Sequence, residues 1–225
     1  MQLKYYLSQE VAVYKKIANK VAKLIQVAGL KKKYYRTPKE MEHFFFSLAV
    51  IRPSVTLDIG SGPEPKNPFN ADKVYGADLR ENKEKGVVFS DFSSGYLPFA
   101  NDSFDYITAY DVLEHIQRVS IVNGVTHFPF IQLINEIFRV LKPNGIFFNS
   151  QPCFPSKEAF QDPTHVNIMT EDTLYLYFCK PAWARIYGFE GSFEMINDGW
   201  VRGSYFSFMK KSFNHPIKNL GFIQK

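Results

Sequence analysis

Short apolar runs in this chain repeatedly end on an acid or a glycine. Asp58, Gly60, Ser61 and Gly62 stand in VTLDIGSGPEP, Asp78 and Leu79 close KVYGADL, Asp91 and Phe92 close GVVFSDF, and Tyr110 and Asp111 follow FDYITA. Glycines at a strand end let the backbone come close to a ligand. A carboxylate eighteen residues after Gly60, at Asp78, can accept hydrogen bonds from both hydroxyls of a ribose. Asp91 beside Phe92 offers an acceptor for an exocyclic amine next to an aromatic face. Each acid alone could merely cap a turn; the ordered set describes a site for a nucleoside-bearing ligand.

Two histidines carry proton chemistry. His165 lies in DPTHVN and His115 in VLEHI. An imidazole with an unperturbed pKa near 6.5 suits proton abstraction at neutral pH. His165 is the first choice as base, with Asp162 placed to orient it, and His115 is the second. Asp162 and His165 are only two donors with no recognisable third, so the sequence gives no metal site.

These residues need a scaffold that brings strand ends together. VTLDI (55–59), KVYGADL (73–79), GVVFSDF (86–92), FDYITAYDVL (104–113) and GIFFNSQ (145–151) are short, rich in β-branched or aromatic residues with continuous apolar stretches, and bounded by turn formers. Such runs suit strands buried on both faces of a parallel sheet. PFIQLINEIFRVLK (129–142) has helical spacing and ends at PNG. Thr37 followed by Pro38 opens a helix over EMEHFFFSLAVI. Thr170 reads as the cap of a helix over TEDTLYLYFC. GSFEMINDGWV and GSYFSFMKKSF form a hairpin through Arg202–Gly203, predicting an antiparallel edge strand on a mixed sheet. The fold class is α/β: a Rossmann-like open sheet of seven strands, mostly parallel with the last antiparallel, and helices on both faces. In open sheets of this kind, ligands bind beyond the carboxyl ends of the strands.

Residues 1–36 read as a helical, basic extension, with Lys15, Lys16, Lys20 and Lys23 opposite an apolar stripe, and 37–225 as the main domain. The formal charge of +5 is concentrated near the N-terminus and does not by itself imply nucleic acid. Cys153 and Cys179 lack metal or disulfide spacing and read as reduced thiols. No apolar run reaches the roughly 18 residues that span a bilayer. MQLKYYLSQEVAVYKK lacks the apolar core and cleavage site of a signal peptide. The expectation is a cytoplasmic protein, with at most weak membrane-surface contact.

Taken in order, LDIGSG, GADL, SDF, LPFANDSFDYITAYDVLEHI and EIFRVLKPNGIFF resemble the class I S-adenosylmethionine-dependent methyltransferases over about residues 40–210. The resemblance implies S-adenosyl-L-methionine as cofactor. It further implies that Asp58, Gly60, Ser61 and Gly62 face the methionine end, Asp78 and Leu79 the ribose, Asp91 and Phe92 the adenine, and Tyr110 the sulfonium. One departure is expected: PEPKNPFNADK holds three prolines where the family continues with a helix, so that helix should be short or absent. DPTHVN and TEDTL, with the proline-rich first loop, are similar to methyltransferases of bacterial surface-glycan synthesis, which implies a small-molecule or sugar acceptor. Phe154, Phe160, Tyr175, Tyr177 and Trp183 are candidates for an apolar acceptor pocket. A nicotinamide dehydrogenase is disfavoured because Pro65 stands where G-x-G-x-x-G needs its third glycine. A non-catalytic S-adenosylmethionine-binding protein of the same fold is the alternative.

Overall fold

The computed structural model describes residues 37–49 and 52–212. The helical reading of residues 1–36 lies outside them. Among the described residues a seven-stranded sheet runs in the order β3-β2-β1-β4-β7-β9-β8. Its strands are β1 (Val55–Ile59), β2 (Lys73–Asp78), β3 (Val87–Phe89), β4 (Phe104–Tyr110), β7 (Leu141–Pro152), β8 (Phe193–Val201) and β9 (Ser204–Lys211). A separate two-stranded hairpin joins β5 (Ser120–Val122) to β6 (Val125–His127).

β1 pairs in parallel with both β2 and β4, so chain order reverses there and a crevice opens at the strands' carboxyl ends. β9 is antiparallel to its two neighbours, β7 and β8. The hairpin through Arg202–Gly203 forms as expected, but its antiparallel strand is interior and β8 is the edge. The physical reason is that β9 folds back into the gap beside β7 and donates its ladder on both sides.

Alternation along the strands splits the core between two faces. Leu57, Ile59, Ile107, Ala109 and Phe147 face one side, where helix α2 (Pro129–Val140) packs Leu133, Ile134, Ile137 and Val140 onto them. Tyr106, Phe148, Phe206 and Phe208 face the other, under helix α1 (Pro38–Leu48). Thr37 caps α1 in a capping box: its hydroxyl accepts from the Glu40 amide at 3.2 Å and its own amide donates to Glu40 Oε2 at 2.7 Å.

No helix forms between β1 and β2. Pro63, Pro65 and Pro68 remove the amide donors a helix needs. Phe69 takes over the covering role: fully buried, it stacks on Tyr106 with ring centroids 4.3 Å apart and meets Phe45 of α1 edge-on at 4.9 Å. Asn67 closes the turn by clasping Ala71 through both amide atoms, at 2.8 and 3.0 Å.

Three boundaries move. β3 stops at Phe89, because Asp91 turns the chain by capping a 3-10 turn over Phe92–Ser94. α2 stops at Val140 and β7 starts at Leu141, before the PNG turn. The helix after the Asp162–His165 segment is short, α4 at Thr173–Phe178, with α3 (Glu158–Gln161) before it. Thr170 does not cap it: the hydrogen bond runs from the Thr170 amide to Thr173 Oγ1, at 3.0 Å. Cys153 and Cys179 are buried free thiols, each pushed up to about 12 by burial. Among the described residues no helix is long and apolar enough to cross a membrane.

Candidate active site

The loop after β1 is tied to the end of β2 from above and below. The Gly60 amide donates to Ala77 O at 2.8 Å, and the Gly62 amide donates to Asp78 Oδ2 at 2.9 Å. Both glycines have positive φ, +67° and +63°. Nothing lies within 4 Å of a Cβ added to Gly62, so open space faces the loop there. Ser61 is buried, its hydroxyl turned back onto Gly62 O at 3.0 Å. Asp78 is buried, with Oδ1 accepting from the Arg80 amide at 3.0 Å. Oδ1 also meets the Nε of the exposed Arg80 at 3.5 Å, while Oδ2 receives only the Gly62 amide and keeps a further lone pair. Leu79, the next residue, is 61% exposed, an apolar surface beside a buried acid.

Asp58 lies fully buried beneath the loop rather than facing out. Its Oδ1 accepts from Thr108 Oγ1 at 2.6 Å and its Oδ2 from the Lys66 amide at 2.8 Å. Burial raises its carboxyl above the ordinary value, against the opposing Lys66 and Thr108 hydrogen bonds. Asp58 therefore shapes the proline-rich loop from inside. The Lys66 ammonium lies over the half-buried Tyr110 ring, 4.6 Å from its centroid. Burial, and then the charge of Asp58, raises the Tyr110 phenol and keeps it neutral. Asp91 is exposed, with Oδ1 taken by the Ser93 amide at 2.9 Å and hydroxyl at 2.6 Å, while Phe92 is buried beside it.

After β4 the chain makes a turn over Leu113–His115, and here the two histidines ranked as rivals in the sequence come together. Their rings meet edge to face with centroids 4.9 Å apart. The Glu114 carbonyl accepts from the amides of Val166 and Asn167, both at 2.9 Å, which pins the 162–168 segment against this turn. Asn167 answers by donating to Leu113 O at 3.0 Å. His165 Nδ1 sits 3.2 Å from Ala159 O. Asp162 does not reach His165 with its side chain: Oδ1 accepts from the Thr164 amide and hydroxyl, at 2.8 and 2.7 Å, and these bonds lower its pKa. Thr164 in turn meets His115 Nδ1 through Oγ1 at 3.0 Å, so Asp162 orients His115 rather than His165.

Sequence reasoning missed Glu114. It is 1% exposed, and neither carboxylate oxygen has a hydrogen-bond partner. Burial pushes its pKa up to about 8, and the negative charges of Asp111 and Asp162 push the same way. The signal was an acid set inside the apolar run DVLEHI. His165 Nε2 lies 4.0 Å from its Oε1.

A cavity of about 460 Å3 opens next to this turn, walled by Phe128, Phe130, Tyr177 and Tyr187 with Arg118 and Asn167 as polar contacts. Of the aromatics expected to line a pocket, Tyr177 does. Phe154, Phe160, Tyr175 and Trp183 are substantially exposed instead, from 43% to 58%.

A family model described as a methyltransferase domain matches residues 33–180. A sterol 24-C-methyltransferase from Schizosaccharomyces pombe is 30% identical over 81 residues, which is 36% of this chain and 18% of that protein. The chain thus spans about a fifth of that relative's length. In fold it is similar to a SAM-dependent methyltransferase from Aquifex aeolicus (15% identity, TM-score 0.51, covering 78% of this chain and 94% of the other). It is likewise similar to the PH0226 protein from Pyrococcus horikoshii (17% identity, TM-score 0.51, 77% and 89%).

Proposed function

Since the chain belongs to the methyltransferase domain family, we propose that it moves the methyl group of S-adenosyl-L-methionine onto an oxygen or nitrogen of a small-molecule or glycan acceptor. The observation that carries this reading is the bond from the Gly62 amide to Asp78, which joins a glycine-bearing loop and a ribose-type acid at the point where strand order reverses.

The residues present fit the cofactor. Asp78 keeps a lone pair on Oδ2 for one ribose hydroxyl, and the exposed Arg80 side chain would yield its place on Oδ1 to the second; Leu79 offers an exposed apolar face, and Asp91 adds an acceptor beside Phe92 for the adenine. The backbone amides of Gly60–Gly62 are spent within the fold, so the loop's contribution to the methionine end is the open space left at Gly62, where no side chain stands. Asp58 and Ser61 hold the loop from beneath, and Tyr110 lines its inner side. When bound, S-adenosylmethionine supplies an electrophilic methyl on a sulfonium.

Methyl transfer needs alignment of the nucleophile and exclusion of water more than covalent help. A hydroxyl nucleophile must also lose its proton. His115 in the turn after β4 and His165 in the segment pinned against that turn bring imidazole lone pairs to this end of the sheet. The aromatic cavity beside Asn167 suits an acceptor with apolar faces and few polar groups. The sterol of the fission-yeast relative is not carried over, because the matched stretch is a small part of that protein.

Calorimetric titration of the full chain with S-adenosylmethionine and S-adenosylhomocysteine tests the cofactor assignment. Asp78→Ala should weaken both by about tenfold or more, as loss of a charged acceptor for two hydroxyls implies. Undiminished affinity in that variant overturns the ribose assignment. Binding without transfer of labelled methyl to any oxygen or nitrogen acceptor favours the non-catalytic alternative.

A further inference from the structure

Glu114, His115 and His165 form a group whose ligand-capable atoms all lie within 4.8 Å of one another. We propose that they bind one divalent first-row transition ion, through a Glu114 carboxylate oxygen and the Nε2 atoms of His115 and His165.

The tautomers follow from the partners. Thr164 spends its hydroxyl proton on Asp162 Oδ1 at 2.7 Å, so towards His115 Nδ1 it can only accept. The Thr164 carbonyl, 3.2 Å from the same nitrogen, also accepts only. His115 therefore carries its proton on Nδ1. His165 does the same, because its Nδ1 faces the carbonyl of Ala159 at 3.2 Å. Both Nε2 atoms are left with lone pairs. An imidazole that donates Nδ1–H to a backbone carbonyl and presents Nε2 is the arrangement that orients metal-binding histidines.

Glu114 supplies the second, independent observation. A carboxyl group 1% exposed with neither oxygen hydrogen-bonded is costly in either form: ionised it lacks a counter-charge, and protonated its O–H lacks an acceptor. The 4.0 Å from its Oε1 to His165 Nε2 is too long for a hydrogen bond, so the histidine alone does not satisfy it. A cation between them does. A tetrahedral centre with bonds of about 2.1 Å sets its ligand atoms about 3.4 Å apart. Side-chain adjustments of roughly an ångström bring these groups to that spacing. The backbones need not move, because the Glu114 carbonyl already clamps Val166 and Asn167.

Two imidazoles and a carboxylate favour zinc, iron or manganese over the magnesium and calcium ions that prefer all-oxygen sites. Three protein donors leave at least one position open. Glu114 closes the inner side and His115 is exposed, so the opening faces outward. An acceptor oxygen held there would lose its proton more readily. That role deepens, and rests on, the methyl-transfer reading; binding of the ion itself does not.

The test is calorimetric titration of the chelator-stripped full-length protein with Zn2+, paralleled by Co2+ and its visible spectrum. One equivalent should bind. His115→Ala and His165→Ala should each weaken it by about a hundredfold, and Asp162→Asn by about tenfold, through the loss of the Thr164 bond that orients His115 and of a nearby negative charge. His127→Ala, outside the cluster, should not change it. Because substitution at buried Glu114 can disturb folding, His115→Ala, at an exposed residue, is the deciding variant. Wild-type zinc affinity in His115→Ala and His165→Ala overturns the proposal, as does a Co2+ spectrum that those variants leave unaltered. S-adenosylmethionine affinity is measured in chelator alongside. If the cofactor binds and methyl transfer runs undiminished in chelator while no zinc binds, the cation is rejected and the methyl-transfer reading stands. If zinc binds as expected and the cofactor does not, the metal site stands and that reading fails.

Discussion

A Cβ placed on Gly60 would lie 2.2 Å from Cγ2 of Val112, so the loop after β1 and the turn after β4 share a contact with no room for a side chain. The putting-together of cofactor loop and histidine turn depends on that missing atom. Gly60→Ala must move one of them, and its φ of +67° adds backbone strain. We expect a loss of about 2–4 kcal/mol in urea unfolding and at least tenfold weaker S-adenosylmethionine binding. Gly62→Ala meets open space and should cost only the conformational part, about 1–2 kcal/mol. Equal effects from the two substitutions would show that the contact with Val112 does not matter.

The second expectation concerns α2. Arg139 grips Glu136 through Nε at 2.7 Å and Nη2 at 2.6 Å, and donates to the carbonyls of Leu97 and Phe99 at 3.0 and 2.8 Å. Burial opposes the Glu136 charge, but the Arg139 bonds prevail and lower its pKa below 4.5. A depressed folded-state pKa means that the stabilisation is complete above 4.5 and is lost as pH falls through the folded value. Arg139→Ala should cost about 2–4 kcal/mol at pH 7. Urea melts of wild type and Glu136→Gln between pH 6 and pH 3 should converge on the acid side. Parallel curves would remove Glu136 from the acid sensitivity.

Asp58 carries the opposite sign. Its folded-state pKa is raised, so ionisation penalises the fold as pH rises from 3.8 through the folded value, and the penalty is complete above that. Asp58→Asn keeps an acceptor for the Lys66 amide and a polar partner for Thr108. The variant should therefore melt no lower than wild type at pH 7.5, and the difference should shrink towards pH 3. A melting temperature several degrees below wild type at pH 7.5 would mean that the charge itself holds the loop.

Phe69 stands in for a helix. Phe69→Ala empties a fully buried ring site against Tyr106 and Phe45 and should cost about 3–5 kcal/mol. Cofactor affinity should fall with it, because the loop that presents Gly60–Gly62 loses its anchor. Retained stability would show that the proline-rich loop is held by its ends alone.

Much of the frame was legible because its signals are local. Continuous apolar, β-branched runs place β1 and β2, Thr37 with Pro38 opens α1, and the prolines after Gly62 forbid a helix. Pairing order within the sheet was less so: nothing in GSYFSFMKKSF says that it enters between two strands. Thr170 misled because a cap residue is recognised by type, whereas its amide here donates to Thr173. In the candidate site, the strand-end acids could be found one by one. The meeting of His115 with His165 could not, since it depends on contacts spanning some fifty residues. Glu114 escaped because an acid beside a histidine reads as a surface pair until its burial is known.

The position of β9 has a consequence for how the chain is made. Its eight residues, Ser204–Lys211, bridge β7 to β8, and β8 has no other partner in the sheet. During synthesis, β1 to β7 can assemble in order as they leave the ribosome, while β8 emerges with nothing to pair against. The ladder of β7 then stays open on that side until β9 itself has left the ribosome and paired, the folded position in which the Lys211 ammonium reaches Asp102 at 2.7 Å. For this protein, the exposed-edge hazard belongs to the nascent chain, and it ends only when β9 slides in.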